Sequence, residues 1–107
     1  MAKRRNDSKE VIDIAKKYLK LLHKKNISFE KVYLFGSYAT GNFHEDSDID
    51  LAIVAKKWEN DTCDAMYKLM LIANKIDTRI EPHPFETSEF NKTHPFAYEI
   101  MRTGKLI

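Results

Sequence analysis

A small mixed α/β fold, with helices packed on a short sheet, is what this sequence predicts, and three observations carry the prediction. Two segments repeat their apolar residues at intervals of three and four. Short runs rich in β-branched and aromatic residues lie between and after them. Glycine and proline number three each in 107 residues, so most of the chain is expected in regular structure.

The first helix is expected over about residues 8–25, where Val11, Ile14, Ala15, Tyr18, Leu19 and Leu22 fall on one stripe. Asp7 and Glu10 fit a capping box at its start. The other face carries Lys16, Lys17, Lys20, Lys24 and Lys25 and reads as a solvated surface. Lys31 to Phe35 is a short run of β-formers stopped by Gly36, which reads as a buried strand. A polar connection from Ser37 to Ser47 follows, expected to open as a short helix. Ile49 to Val54 is the second strand. Residues 61–76 form a second amphipathic helix whose stripe of Ala65, Met66, Leu69, Ile72, Ala73 and Ile76 faces the core. Thr78 to Pro82 reads as a third strand, closed by Pro82 and Pro84 because proline cannot donate to an interior ladder. The segment of about 86–103 reads as one helix broken at Pro95.

Size and composition set the outer limits. A chain of 107 residues suits one domain, 1–107, with residues 1–7 a flexible basic N-terminus and no room for a separate acceptor-binding domain. With 43% apolar and 32% charged residues the chain can bury a core without a disordered excess of charge. A formal charge of +2 is well short of a dedicated nucleic-acid binder, so nucleic acid is not expected as a partner. The single cysteine, Cys63, has no partner for a disulfide or a zinc knuckle and is expected to be inert packing in a reducing cytoplasm. No signal-peptide core follows the basic start, and no apolar run approaches the roughly 20 residues that span a bilayer. A soluble cytoplasmic protein without membrane contact is expected.

The chemistry concentrates between Gly36 and Glu81. In the second strand Asp48 and Asp50 are two apart and share a face, their Cβ atoms about 6 to 7 Å from each other, while Ile49, Leu51 and Ile53 bury on the opposite face. Like charges held that close repel unless a cation lies between them. A hard divalent ion such as Mg²⁺ relieves the repulsion, bound by one or two carboxylates and substrate phosphates. Gly36-Ser37 supplies the complement, a strand end where a phosphate can approach the backbone, a helix N-terminus and a hydroxyl donor. For Ser37 to meet Asp48 the first two strands must pair antiparallel. A third carboxylate would complete a clamp of two ions around an in-line displacement. Asp77, Arg79 and Glu81 are expected to alternate onto one face of the third strand, and Glu81, fixed mid-strand, is favoured over Asp77 at the junction.

Other residues carry weaker signals. His44, Glu45 and Asp46 read as a polar loop before a metal site. His83 either lines the Glu81 face or ends the strand. Arg79 pairs with a carboxylate in preference to a phosphate. Trp58 and Tyr38 could stack on a base. His23 and His94 show no ligand spacing.

Gly36-Ser37, then ten residues, then Asp48-Ile49-Asp50-Leu51, with Ala39, Gly41 and Ser47 in between, resembles the signature of the DNA polymerase beta superfamily of nucleotidyltransferases, in its minimal nucleotidyltransferase branch. The resemblance runs from the first helix through Glu81 and is expected to extend to the C-terminus. It implies the nucleotidyltransferase fold, with a mixed sheet, and transfer of a nucleoside monophosphate, AMP from ATP, to a hydroxyl with release of pyrophosphate. Gly36, Ser37, Ser47 and Arg79 would bind the nucleotide, Asp48 and Asp50 two Mg²⁺ or Mn²⁺ ions, and Glu81 would be the third ligand or the base. The acceptor would come from a homodimer or a partner, and the family suggests an antitoxin that modifies a tyrosine of a HEPN-domain toxin. Two other functions compete. One is a binding module that neutralises a partner with a vestigial site. The other is a small-molecule transferase of the aminoglycoside-modifying kind, although such enzymes carry a further helical domain.

Overall fold

A computed structural model describes residues 8–42, 47–59 and 61–107. The proposed cap at Asp7 and the loop residues His44, Glu45 and Asp46 lie outside them. Helix α1, Ser8–Lys24, follows the expected stripe, with Val11, Ala15, Tyr18 and Leu22 buried and Lys16, Lys17, Lys20 and Lys24 exposed. Strand β1 is Lys31–Phe35 and strand β2 is Ile49–Ala55, joined through the single turn of helix α2, Ser37–Thr40. Helix α3, Thr62–Ala73, begins at Asp61, whose side chain accepts a hydrogen bond from the Asp64 N–H at 2.8 Å.

Strands β1 and β2 pair antiparallel, with Phe35 opposite Asp50, so the end of β1 lies beside the start of β2. Strand β3, Ile80–Glu86, pairs parallel to β2, with Asp50 opposite Glu81. A two-residue strand β4, Lys105–Leu106, adds antiparallel to β1, giving the order β3-β2-β1-β4. The mixed sheet is as expected. Alternation along the strands sorts their residues onto two faces. Val32, Leu34, Ile49, Leu51, Ile53 and Ile80 pack with α1 and α3. The buried Tyr18 hydroxyl donates to the Leu69 carbonyl at 2.9 Å and ties those two helices together, and burial pushes its phenol well above its usual range. On the other face Phe35, Ala52, Val54 and Phe85 pack with Phe90 and with Ala97 and Ile100 of helix α4, Pro95–Thr103.

Three expectations are corrected. The third strand starts at Ile80 and passes through Pro82 and Pro84 to Glu86. Arg79 O and Thr87 N bond to β2 at the two ends of the pairing, so the odd-numbered residues face β2 and both prolines point their nitrogens to the open edge. Thr78 and Arg79 lie in the preceding turn, so Asp77, Arg79 and Glu81 do not share a strand face. The last helix is unbroken, because Pro95 stands at its first turn, where no N–H is needed, and His94 Nδ1 accepts from the Ala97 N–H at 3.2 Å as its cap. Cys63 is exposed on α3 instead of packed. Among the described residues, no helix is long and apolar enough to cross a membrane.

Candidate active site

Parallel pairing of β2 and β3 assembles the acidic group. Asp50 and Glu81 are register neighbours, and both project from the α4 side of the sheet, as residues of one parity must. Asp48 stands exposed at the start of β2, while Asp50 and Glu81 are half-buried. Partial burial, followed by the charges of Asp48 and Asp50, raises the Glu81 carboxyl above the usual carboxylate range, with His83 acting in the opposite direction. The three acids therefore sense one another. Among the described residues no lysine or arginine forms an ion pair with any of them.

His83, two residues beyond Glu81, sits on the same face. Its Nε2 lies 3.3 Å from Asp50 Oδ1 and 3.9 Å from Glu81 Oε1. Edge contacts with Phe35, at 5.0 Å between ring centres, and Phe96, at 6.1 Å, surround the imidazole. Phe96 is 45% exposed and forms an apolar margin beside the acids, which the sequence patterning did not reveal because helix α4 was not divided from the turn before it.

Gly36 closes the other side. Its backbone, at φ 79° and ψ −152°, lies in a region that only glycine enters at low cost, and a Cβ there would overlap Asp50 Oδ2. Gly36 thus meets Asp50 near the start of β2, as the antiparallel register requires. Gly41, left-handed at φ 87°, ends α2 with its N–H donating to Ser37 O at 3.0 Å.

The remaining sequence candidates fall elsewhere. Asp77 accepts from Arg79 Nε at 3.1 Å, from Arg79 Nη2 at 2.8 Å and from the Arg79 N–H at 2.9 Å. The side-chain hydrogen bond from Arg79 holds the Asp77 carboxyl below its usual range, and the same bond raises Arg79. Asp77 is therefore engaged away from the acidic group. Arg79 Nη1 also reaches the hydroxyl of Tyr38 at 3.4 Å, beneath α2. Ser47 is buried, at 7% exposure, just ahead of β2. Neither proposed base-stacking ring is open. Tyr38 is fully buried, and Trp58 is buried with its Nε1–H donating to the Phe85 carbonyl at 3.1 Å.

A Gly-Ser turn at a strand end, an Asp-x-Asp strand antiparallel to it and an acid on the adjacent parallel strand define a nucleotidyltransferase. Residues 9–107 match the family model described as polymerase beta, nucleotidyltransferase, and the chain belongs to that family. A candidate protein adenylyltransferase of Methanocaldococcus jannaschii is 35% identical over 105 residues, which cover 85% of this chain and 99% of that protein. The protein adenylyltransferase MntA of Shewanella oneidensis is 35% identical over 68 residues, covering 61% of this chain and 46% of that protein. Among solved structures, a candidate nucleotidyltransferase of Sulfolobus solfataricus shares the fold, with a TM-score of 0.67 at 23% identity over 92% of this chain and 80% of its own. A toxin-antitoxin structure with AMP-PNP superposes with a TM-score of 0.64 at 27% identity, covering 85% of this chain and 69% of that one. The relatives are those of the minimal branch, and the chain is an enzyme that transfers a nucleoside monophosphate from a nucleoside triphosphate.

Proposed function

We propose that this nucleotidyltransferase moves AMP from ATP onto a tyrosine hydroxyl of a protein partner, a helical HEPN-type toxin, and so serves as its antitoxin. The observation that carries the reading is the pairing of Asp50 with Glu81 next to Gly36, which sets two acids beside a glycine turn. Relatives named as protein adenylyltransferases support AMP as the group moved, and the toxin-antitoxin neighbours support a protein acceptor.

Asp48, Asp50 and Glu81 suit Mg²⁺, since they gather hard oxygen donors and, among the described residues, no lysine or arginine is paired to them. The ion, when bound, neutralises the triphosphate and polarises the phosphorus under attack. Gly36 leaves the backbone open to phosphate oxygens, and Ser37 offers a hydroxyl. Glu81, whose partial burial and acidic neighbours raise its carboxyl above the usual range and so make its carboxylate a stronger base, takes the acceptor's proton. The acceptor oxygen then bonds to the α-phosphorus, the bond from that phosphorus to the bridging oxygen breaks, and pyrophosphate leaves with the electron pair.

The test is incubation of the chain with its toxin, ATP and Mg²⁺, with the modified tyrosine located by mass spectrometry. Asp48→Asn and Asp50→Asn should abolish transfer while the chain stays folded. Glu81→Gln should bind ATP but transfer about 10² to 10⁴ times more slowly, as expected for loss of a general base. Neutralisation of the toxin without any added AMP would leave a binding module in place of the enzyme. A fully active Glu81→Gln would remove Glu81 from the chemistry.

A further inference from the structure

The reading of the acidic cleft as a metal site leaves His83 without a task, yet the fold places it with care. Its Nε2 lies 3.3 Å from Asp50 and 3.9 Å from Glu81. The ligand atoms of Asp50, Glu81 and His83 all lie within 4.8 Å of one another. Donor atoms that share an ion at about 2.0 to 2.2 Å are themselves roughly 3 to 4 Å apart. Small side-chain rotations therefore bring all three onto one ion.

A histidine that served only as a solvated surface group would have a free ring. This ring is packed edge-on against Phe35 and approached by Phe96, on the same sheet face as both carboxylates. The strand pleat fixes the direction and the aromatic contacts fix the plane, so Nε2 is presented to the acids before any ligand arrives. One oxygen from each carboxylate completes the set.

We propose that His83 is a nitrogen ligand of the site, and that the Asp50, Glu81 and His83 donor set makes it favour Mn²⁺ or a similar transition ion over Mg²⁺. Resting on the metal-site reading of the cleft, the proposal deepens that reading. Imidazole suits transition ions, whereas Mg²⁺ selects oxygen donors and gains little from a nitrogen. A competing role is that His83 donates a hydrogen bond to Asp50 and merely orients it. Loss of such an orienting partner commonly costs 10- to 100-fold in metal affinity, so a fall in affinity alone does not separate the two roles.

Two measurements on tag-free chain do separate them, with MnCl₂ and MgCl₂ alone as probes. Pulsed electron paramagnetic resonance of the Mn²⁺ form should show coupling to an imidazole ¹⁴N, and His83→Gln should lose it. Calorimetric titration should show Mn²⁺ affinity falling about tenfold or more in His83→Gln, with Mg²⁺ affinity falling less than about threefold. Mn²⁺ bound without ¹⁴N coupling in the native chain overturns the proposal, whether or not the variant folds. An equal loss for both ions overturns it as well and leaves His83 as an orienting group. Asp50→Asn guards the premise. If Mn²⁺ affinity is unchanged in that variant, the ion is not bound at the cleft, and the metal-site reading fails together with the proposal.

Discussion

At Gly36 the backbone and the acidic group constrain each other. Any side chain there would have to adopt a strained φ of 79° and also overlap Asp50, so Gly36→Ala should cost about 1 to 3 kcal/mol from backbone strain alone. It should also displace Asp50 and remove transfer, a combination readable by urea denaturation beside the activity assay. Retained stability would mean that this turn relaxes without disturbing β2. The Asp77 and Arg79 pair makes a separate claim, one of stability and not of chemistry. Folding lowers the Asp77 pKa, so its contribution is complete above the ordinary carboxylate value and fades as pH falls through the lowered one. Asp77→Asn should therefore destabilise the protein by about 1.5 to 3 kcal/mol at neutral pH, as for hydrogen bonds to a charged group. The gap to the native chain should narrow in acid. A gap that is constant with pH would place the effect in something other than the ion pair. The position of Asp50, on the face opposite Ile49 and Leu51, was legible in the sequence because strand side chains alternate with a period of two. The engagement of Asp77 was not, since a carboxylate and a guanidinium two residues apart in a turn meet only if the turn folds back on itself.

Among the elements, α1, β1, β2 and α3 follow their patterns closely, because each has a clear apolar stripe or run, with Gly36 ending β1 and Asp61 capping α3. Strand β3 misleads for a physical reason. Proline ends a strand only where its nitrogen must donate, and both prolines here fall on the parity that faces away from β2. Reading the strand as closed at Pro82 left His83 open between lining the Glu81 face and ending the strand, and the continued strand puts it on that face. Strand β4, with two residues, is too short for any pattern, and it exists through its pairing with β1. The turn after β2 is pinned to the end of β3 by Trp58, through its indole N–H on the Phe85 carbonyl and its backbone N–H on Glu86 Oε2 at 3.1 Å. Trp58→Phe should lower stability by about 0.5 to 1.5 kcal/mol, the net loss of one intramolecular hydrogen bond. ATP affinity should be unchanged by calorimetry, and a marked loss would return Trp58 to the nucleotide site.

For the whole molecule, the sheet divides two tasks. One face is buried under α1 and α3 and supplies most of the apolar core, while the other collects the acids at one end and an aromatic layer under α4 at the other. Because the acids repel one another and, among the described residues, no lysine or arginine is paired to them, nucleotide binding should require a divalent ion. ATP at about 100 times its Kd should add about 2.7 kcal/mol of stability in Mg²⁺, measured by thermal unfolding, and nothing in EDTA. Undiminished stabilisation in EDTA would contradict the placement of the triphosphate beside Asp48 and Asp50. The proline-bearing margin of the sheet has a further consequence, for how copies of this chain can associate. If β4 of one copy added to β3 of the next, the contact would repeat head to tail and build a ring where the rotation closes or a fibre where it does not. Pro82 and Pro84 withhold the donors that such a contact needs, so the margin that carries Glu81 cannot serve as a template for growth.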